Sequence, residues 1–142
     1  MLFRSVLNEV QTVVYDRLEA AEQSADSFVA KLEAVYRVAH ELNRADASLA
    51  RFLGSSRVDR LRNPELAREL GAVDTRGEGF FEGIVRRGIK TGEVSATDRA
   101  KVLNHIHAFN IGLTDGLSGD HVAHRQAIDG FLLGVRAYVA KN

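Results

Sequence analysis

The chain has 142 residues, 45% of them hydrophobic and 27% charged, which is enough to build a core unaided and excludes a disordered chain. Lys plus Arg and Asp plus Glu both number 19, so the basic excess of a phosphate-neutralising surface is missing and DNA binding by these residues alone is not expected. Cys is absent, which excludes disulfides, thiolate nucleophiles and Cys-based zinc sites. No apolar run approaches the ~20 residues of a membrane span and no signal-peptide pattern is present, so no membrane partner and a cytoplasmic location are expected.

Helical periodicity dominates the chain, and the single Pro favours long uninterrupted helices. A first helix is predicted over Leu2–Gln23, with Phe3, Val6, Leu7, Val10, Val13, Val14, Leu18 and Ala21 at three- and four-residue steps. It starts at Met1 without a cap and reads as a helix cut from a longer chain. A second helix should open at Ser24 or Asp26, both good N-caps, and carry Phe28, Leu32, Val35, Tyr36, Ala39 and Leu42 on one face. A short helix after Asp46, with Leu49, Phe52 and Leu53, should stop at Gly54. The Arg-rich stretch Ser55–Arg62 then reads as a solvated polar face.

Asn63-Pro64-Glu65 supplies a cap, a first-turn Pro and a dipole-favoured acid, the signature of a helix start. Gly71 should interrupt that helix. The next carries Val73, Phe80, Phe81, Ile84 and Val85, and ends in Arg86, Arg87 and Lys90 before Gly92. Ser95 with Asp98 resembles a capping box for a helix carrying Val102, Leu103, Ile106, Phe109, Leu113 and Leu117. Gly116, Ser118 and Gly119 make a turn, and Asp120 caps a last helix carrying Val122, Ile128, Phe131, Leu132, Val135 and Val139. Six or seven helices and no credible strand predict an all-α helical bundle.

The last two helices carry a second signal. Ala108, Gly112 and Gly116 are spaced by four, as are Ala123 and Ala127, then Gly130 and Gly134, which puts small residues on one helix face. Gly inside a helix costs roughly 1 kcal/mol relative to Ala, so the stripe implies closely approaching backbones. Either it packs inside one protomer, or two helices from each of two copies form a four-helix bundle about a two-fold axis.

Several segments resemble the C-terminal ligand-binding and dimerisation domain of tetracycline-repressor-type (TetR-like) transcriptional regulators. Leu2-Phe3-Arg4-Ser5-Val6-Leu7 resembles the start of that family's fourth helix, and Leu49-Ala50-Arg51-Phe52-Leu53 its short sixth helix. Ile84-Val85-Arg86-Arg87-Gly88-Ile89-Lys90-Thr91-Gly92-Glu93 resembles the close of the seventh helix. Ile111-Gly112-Leu113 and Phe131-Leu132-Leu133-Gly134-Val135 resemble the eighth and ninth helices of the dimer bundle. The resemblance covers nearly the whole chain with loose motifs. It departs from the family in lacking the N-terminal three-helix DNA-binding domain, so DNA recognition is expected to belong to a parent protein.

The resemblance implies a homodimer and a mostly apolar effector cavity. Candidate ligand contacts are Tyr36, His40, Phe52, Phe80, Phe81, Ile84, His105 and Phe109; Tyr36 and His40, four apart, offer polar tips on one face. Candidate seam residues are His107, Gly112, Gly116, Ala127, Gly130, Phe131, Gly134 and Tyr138.

Catalytic readings find no support in the motifs. No G-x-S-x-G elbow or P-loop is present, although Gly77 and Gly79 form a Gly-rich stretch. His121 and His124, three apart, read as surface histidines near a helix start, and no metal or cofactor is expected. The function that the resemblance implies is a small-molecule sensor whose first helix, Leu2–Gln23, transmits effector binding to the DNA-binding part of the parent. The alternative is a helical dimerisation or adaptor module with a solid core.

Overall fold

The computed structural model describes residues 2–71 and 76–142, and among these the chain is all-helical. Seven α-helices run in the order α1 (Leu2–Gln23), α2 (Phe28–Ala45), α3 (Ala47–Arg62), α4 (Pro64–Leu70), α5 (Arg76–Lys90), α6 (Arg99–Gly116) and α7 (His121–Lys141), with one 3₁₀ turn at Ala96–Asp98. Val73, assigned to a helix from its pattern, lies outside the described residues. No helix among them is long and apolar enough to cross a membrane.

α1 buries Leu7, Gln11, Leu18 and Ala21, with Val14 half-buried. Steps of four and three keep these side chains on one seam against α2. Val6 and Val13 fall off that seam and stay exposed. α2 is the central element, packing on α1, α3, α5 and α7. Its Leu32, Val35 and Tyr36 are almost wholly buried among Ile84 and Val85 of α5, Ile106 of α6, and Ile128, Phe131 and Leu132 of α7.

α2 does not open at Ser24 or Asp26. The Ser24 hydroxyl donates to the Ala21 carbonyl and closes α1, while Ser27 adopts the extended cap conformation and accepts from Ala30 N–H. The Phe28 amide donates to the Glu93 carboxylate at 3.0 Å. That carboxylate faces the positive end of the α2 dipole and ties it to the turn after α5.

α3 also differs from expectation, since it runs through Gly54 to Arg62. Gly54 has no positive φ; among the described residues only Gly71 and Gly92 do, and these end α4 and α5. What Gly54 supplies is space. A Cβ there would lie 2.4 Å from Asp115 Oδ1, so its absence lets α3 lie close against α6. Arg57, one turn on, donates to both oxygens of Asp115 at 3.0 and 2.8 Å. The stretch Ser55–Arg62 is thus a helix with an inward face, on which Ser56 is buried.

Asn63 caps α4 by accepting from Glu65 and Leu66 N–H. Asp120 caps α7 by accepting from Ala123 N–H. The expected capping box at Ser95 and Asp98 does not form. Asp98 instead accepts from the Tyr138 hydroxyl of α7 at 2.9 Å, and Ser95 bonds to Thr97.

Candidate functional site: a cavity beside the central helix

Along α1, α2, α3, α5 and α6 the inward faces leave a cavity of about 560 Å³. That volume falls within the range of small-molecule sites. Its apolar wall is made by Leu7, Val14 and Leu18 of α1, Val35, Ala39 and Leu42 of α2, Leu49 and Leu53 of α3, Phe81 of α5, and Ile111 and Leu113 of α6. Gln11, Tyr36, Asn43, Ser56, His107, Asn110, Thr114 and His124 supply polar atoms. The charged wall residues Asp46, Arg57, Arg60 and Glu78 are exposed or half-buried.

Several wall groups are already oriented. The Tyr36 hydroxyl donates to Asn110 Oδ1 at 2.7 Å, and burial pushes the phenol's pKa upward, so it remains a neutral donor. Asn43 Nδ2 donates to the Ser118 carbonyl at 3.0 Å, which fixes the amide so that Oδ1 is the remaining acceptor. Among the described residues, Asn43 Oδ1 and Ser56 Oγ have no hydrogen-bond partner although both are buried. Tyr15 fits beneath α5 because residue 77 is Gly, where a Cβ would stand 2.3 Å from its hydroxyl.

His124 lies at the α7 side of the wall and is 3% exposed, which corrects its reading as a surface residue. Its Nδ1 is 2.8 Å from His40 Nδ1. Burial, then the neighbouring His40 and His121, hold the His124 pKa down to about 4. His40 is lowered too, by burial and then by Arg44, Arg125 and His121, against an opposing pull from Asp129. Both rings are therefore neutral at neutral pH.

Of the residues singled out as ligand contacts, Tyr36 and Phe81 line this cavity. His40 stands behind His124. Phe80 packs edge-on against Tyr15 and Phe81, and Phe109 against Tyr36 and flat on Phe131 at 4.2 Å, so both support the wall. Ile84 is fully buried core, and Phe52 pairs with Phe3 of α1 at 5.7 Å. His105 is exposed and stacks on Phe131 beside a second depression of about 410 Å³ lined by Phe28, Leu32, Val102, Ile106 and Val135.

The residues assigned to a seam divide in the same way. Gly112, Gly116, Gly130 and Gly134 are exposed, and among the described residues a Cβ on any of them would meet nothing within 4 Å. Packing inside one protomer therefore does not explain the small-residue stripe. Phe131 is buried in the core, Ala127 is half-buried, and Tyr138 is bonded to Asp98. His107 faces the cavity.

Sequence reasoning missed Gln11, Asn43, Ser56, Asn110 and His124. Two of them carried a signal. Asn43 is seven residues beyond Tyr36 and shares its face, and Leu49, Leu53, Ser56 and Arg60 step by four, three and four. Reading Ser55–Arg62 as a surface stretch concealed that second series.

Comparison of the chain with protein-family models, with curated protein sequences and with solved structures finds no match in any of the three.

Proposed function

We propose that the chain is the effector-binding and dimerisation core of a TetR-like transcriptional regulator, taking a small apolar or amphipathic molecule in the cavity beside Tyr36. The observation that carries the reading is the cavity itself, apolar along most of its wall with a few fixed polar groups. It touches α1 at Leu7, Gln11, Val14, Tyr15 and Leu18, so a ligand there would bear on the helix that leads towards a DNA-binding part in a parent protein. A preference of the ligand for one position of α1 would couple effector to operator with the 1–3 kcal/mol typical of such linkages. The location would be cytoplasmic, and DNA would be met only through the parent.

The exposed glycines support the dimer half of the reading. Gly112, Gly130 and Gly134 each destabilise their helix by roughly 1 kcal/mol relative to Ala, and no contact among the described residues uses the space. A second copy laid along α6 and α7 would use it. The alternative of a dimerisation module without a ligand calls for a solid core beside Tyr36, and the cavity speaks against it.

A thermal-shift screen of this chain with amphiphiles of varied head group tests the sensor reading. At least one class should raise the melting temperature, and Ala39→Leu, which narrows the cavity beside Tyr36, should diminish that rise. No shift with any class would contradict the reading.

A further inference from the structure

Gln11 stands on the face of α1 that also carries Leu7, Val14, Tyr15 and Leu18, and these side chains together line the cavity. The residue is 7% exposed, and among the described residues its amide has no hydrogen-bond partner. The amide is not sealed, however: Oε1 and Nε2 both keep accessible surface, whereas Asn43 Oδ1 and Ser56 Oγ are closed off. On a helix face turned to the cavity, that surface opens to the space a guest would fill. The amide offers donors at Nε2 and an acceptor at Oε1, side by side. A guest that displaces solvent from such a group loses affinity at whichever end it leaves unmet.

The charged residues of the wall narrow the choice. Both oxygens of Asp115 hold Arg57, the Ser48 amide and hydroxyl hold Asp46, and Arg60 has an interaction of its own. Glu78 is exposed, where salt and water screen it. An ionic head at Gln11 would leave water with only engaged or screened charges to offset it, a cost an uncharged head avoids. Among uncharged heads, an ester or tertiary amide has a carbonyl for Nε2 and nothing for Oε1. A hydroxyl meets one end well at a time. A primary amide or a lactam carries N–H and C=O pointing the same way, and so meets both.

We infer that the cavity takes an uncharged, largely apolar guest headed by a primary amide or lactam. Its N–H donates to Gln11 Oε1, its carbonyl accepts from Gln11 Nε2, and its hydrocarbon part lies against Leu7, Leu18, Leu53 and Phe81. The inference rests on the reading of this cavity as an effector site. It specifies the head group that reading leaves open.

The test is a calorimetric titration of this chain with octanamide, N,N-dimethyloctanamide, octanoate and octylammonium. Octanamide should bind about tenfold more tightly than its dimethyl derivative, the size of one well-made hydrogen bond, and more tightly than either ion. Gln11→Leu and the longer Gln11→Met remove an unpartnered amide, so the melting temperature should hold or rise while the gap between the two amides closes. A dimethylamide or an ion bound as tightly as octanamide overturns the head-group assignment and leaves the cavity reading standing. So does a preference that survives in either folded variant. Binding of none of the four overturns the cavity reading itself, and the assignment with it.

Discussion

The Nδ1 atoms of His40 on α2 and His124 on α7 stand 2.8 Å apart, so a bond between them requires one ring to donate and the other to accept. Two protonated rings would turn N–H against N–H. The pair therefore joins the central helix to the last one only while at least one ring is neutral.

Stability should depend on acidity through this pair. The His124 pKa falls from an ordinary 6.5 to about 4 on folding. Above the unfolded value the ring is neutral in both states and contributes no slope. As pH falls from about 6.5 towards 4, the unfolded chain takes up the proton and the folded chain does not, so stability drops. The full loss is on the order of 3 kcal/mol, from the size of the shift. Urea unfolding near pH 7 and at about pH 4.5 should show the drop. His124→Leu should show a smaller one, and an equal drop in the variant would place the titrating group elsewhere.

Gly88→Ala should destabilise the chain by about 1–3 kcal/mol, the usual cost of overpacking. The new Cβ would lie 2.8 Å from Phe28 Cδ1 and 2.9 Å from Val94 Cγ2, where α5 meets the start of α2. Chemical denaturation measures the cost. A variant as stable as the parent chain would mean that α5 does not approach Phe28 so closely.

Gly134→Leu and Gly130→Leu should leave the protomer folded, because no described residue lies within 4 Å of either new Cβ. If α6 and α7 form the dimer seam, sedimentation should show the mass falling from two copies to one while the helical circular dichroism is kept. An unchanged mass would move the seam elsewhere. The same substitutions to Ala should stabilise an isolated protomer by roughly 0.5–1 kcal/mol each, so a gain in stability with a weaker dimer is the combined signature.

Helix ends with local chemistry were legible in the chain. Asn63-Pro64, Gly92 and Asp120 act as their residue types demand, and α1 spans Leu2–Gln23 as its periodicity predicts. Features decided by tertiary partners were not. Gly54 resembles a helix stop, yet its lack of a Cβ serves the approach of Asp115 from α6. Asp98 resembles a cap but is taken by Tyr138, forty residues on. His124 sits in the first turn of α7, where exposure is the local expectation, and its contact with His40 of α2 is a tertiary one that local sequence does not announce. For the cavity, the α2 face bearing Tyr36 was readable, whereas the polar contributions of α3 depended on recognising one continuous helix through Gly54.

For the chain to act as a sensor, the cavity beside α2 has to take a guest. Methyl-resolved NMR of the chain under pressurised xenon tests it most directly, since xenon enters apolar cavities and leaves solid cores unperturbed. Methyl resonances of Leu7, Val14, Val35, Leu53 and Leu113, which line the cavity, should shift with xenon. Wild-type resonances that stay in place would mean a filled core, and a filled core would contradict the sensor.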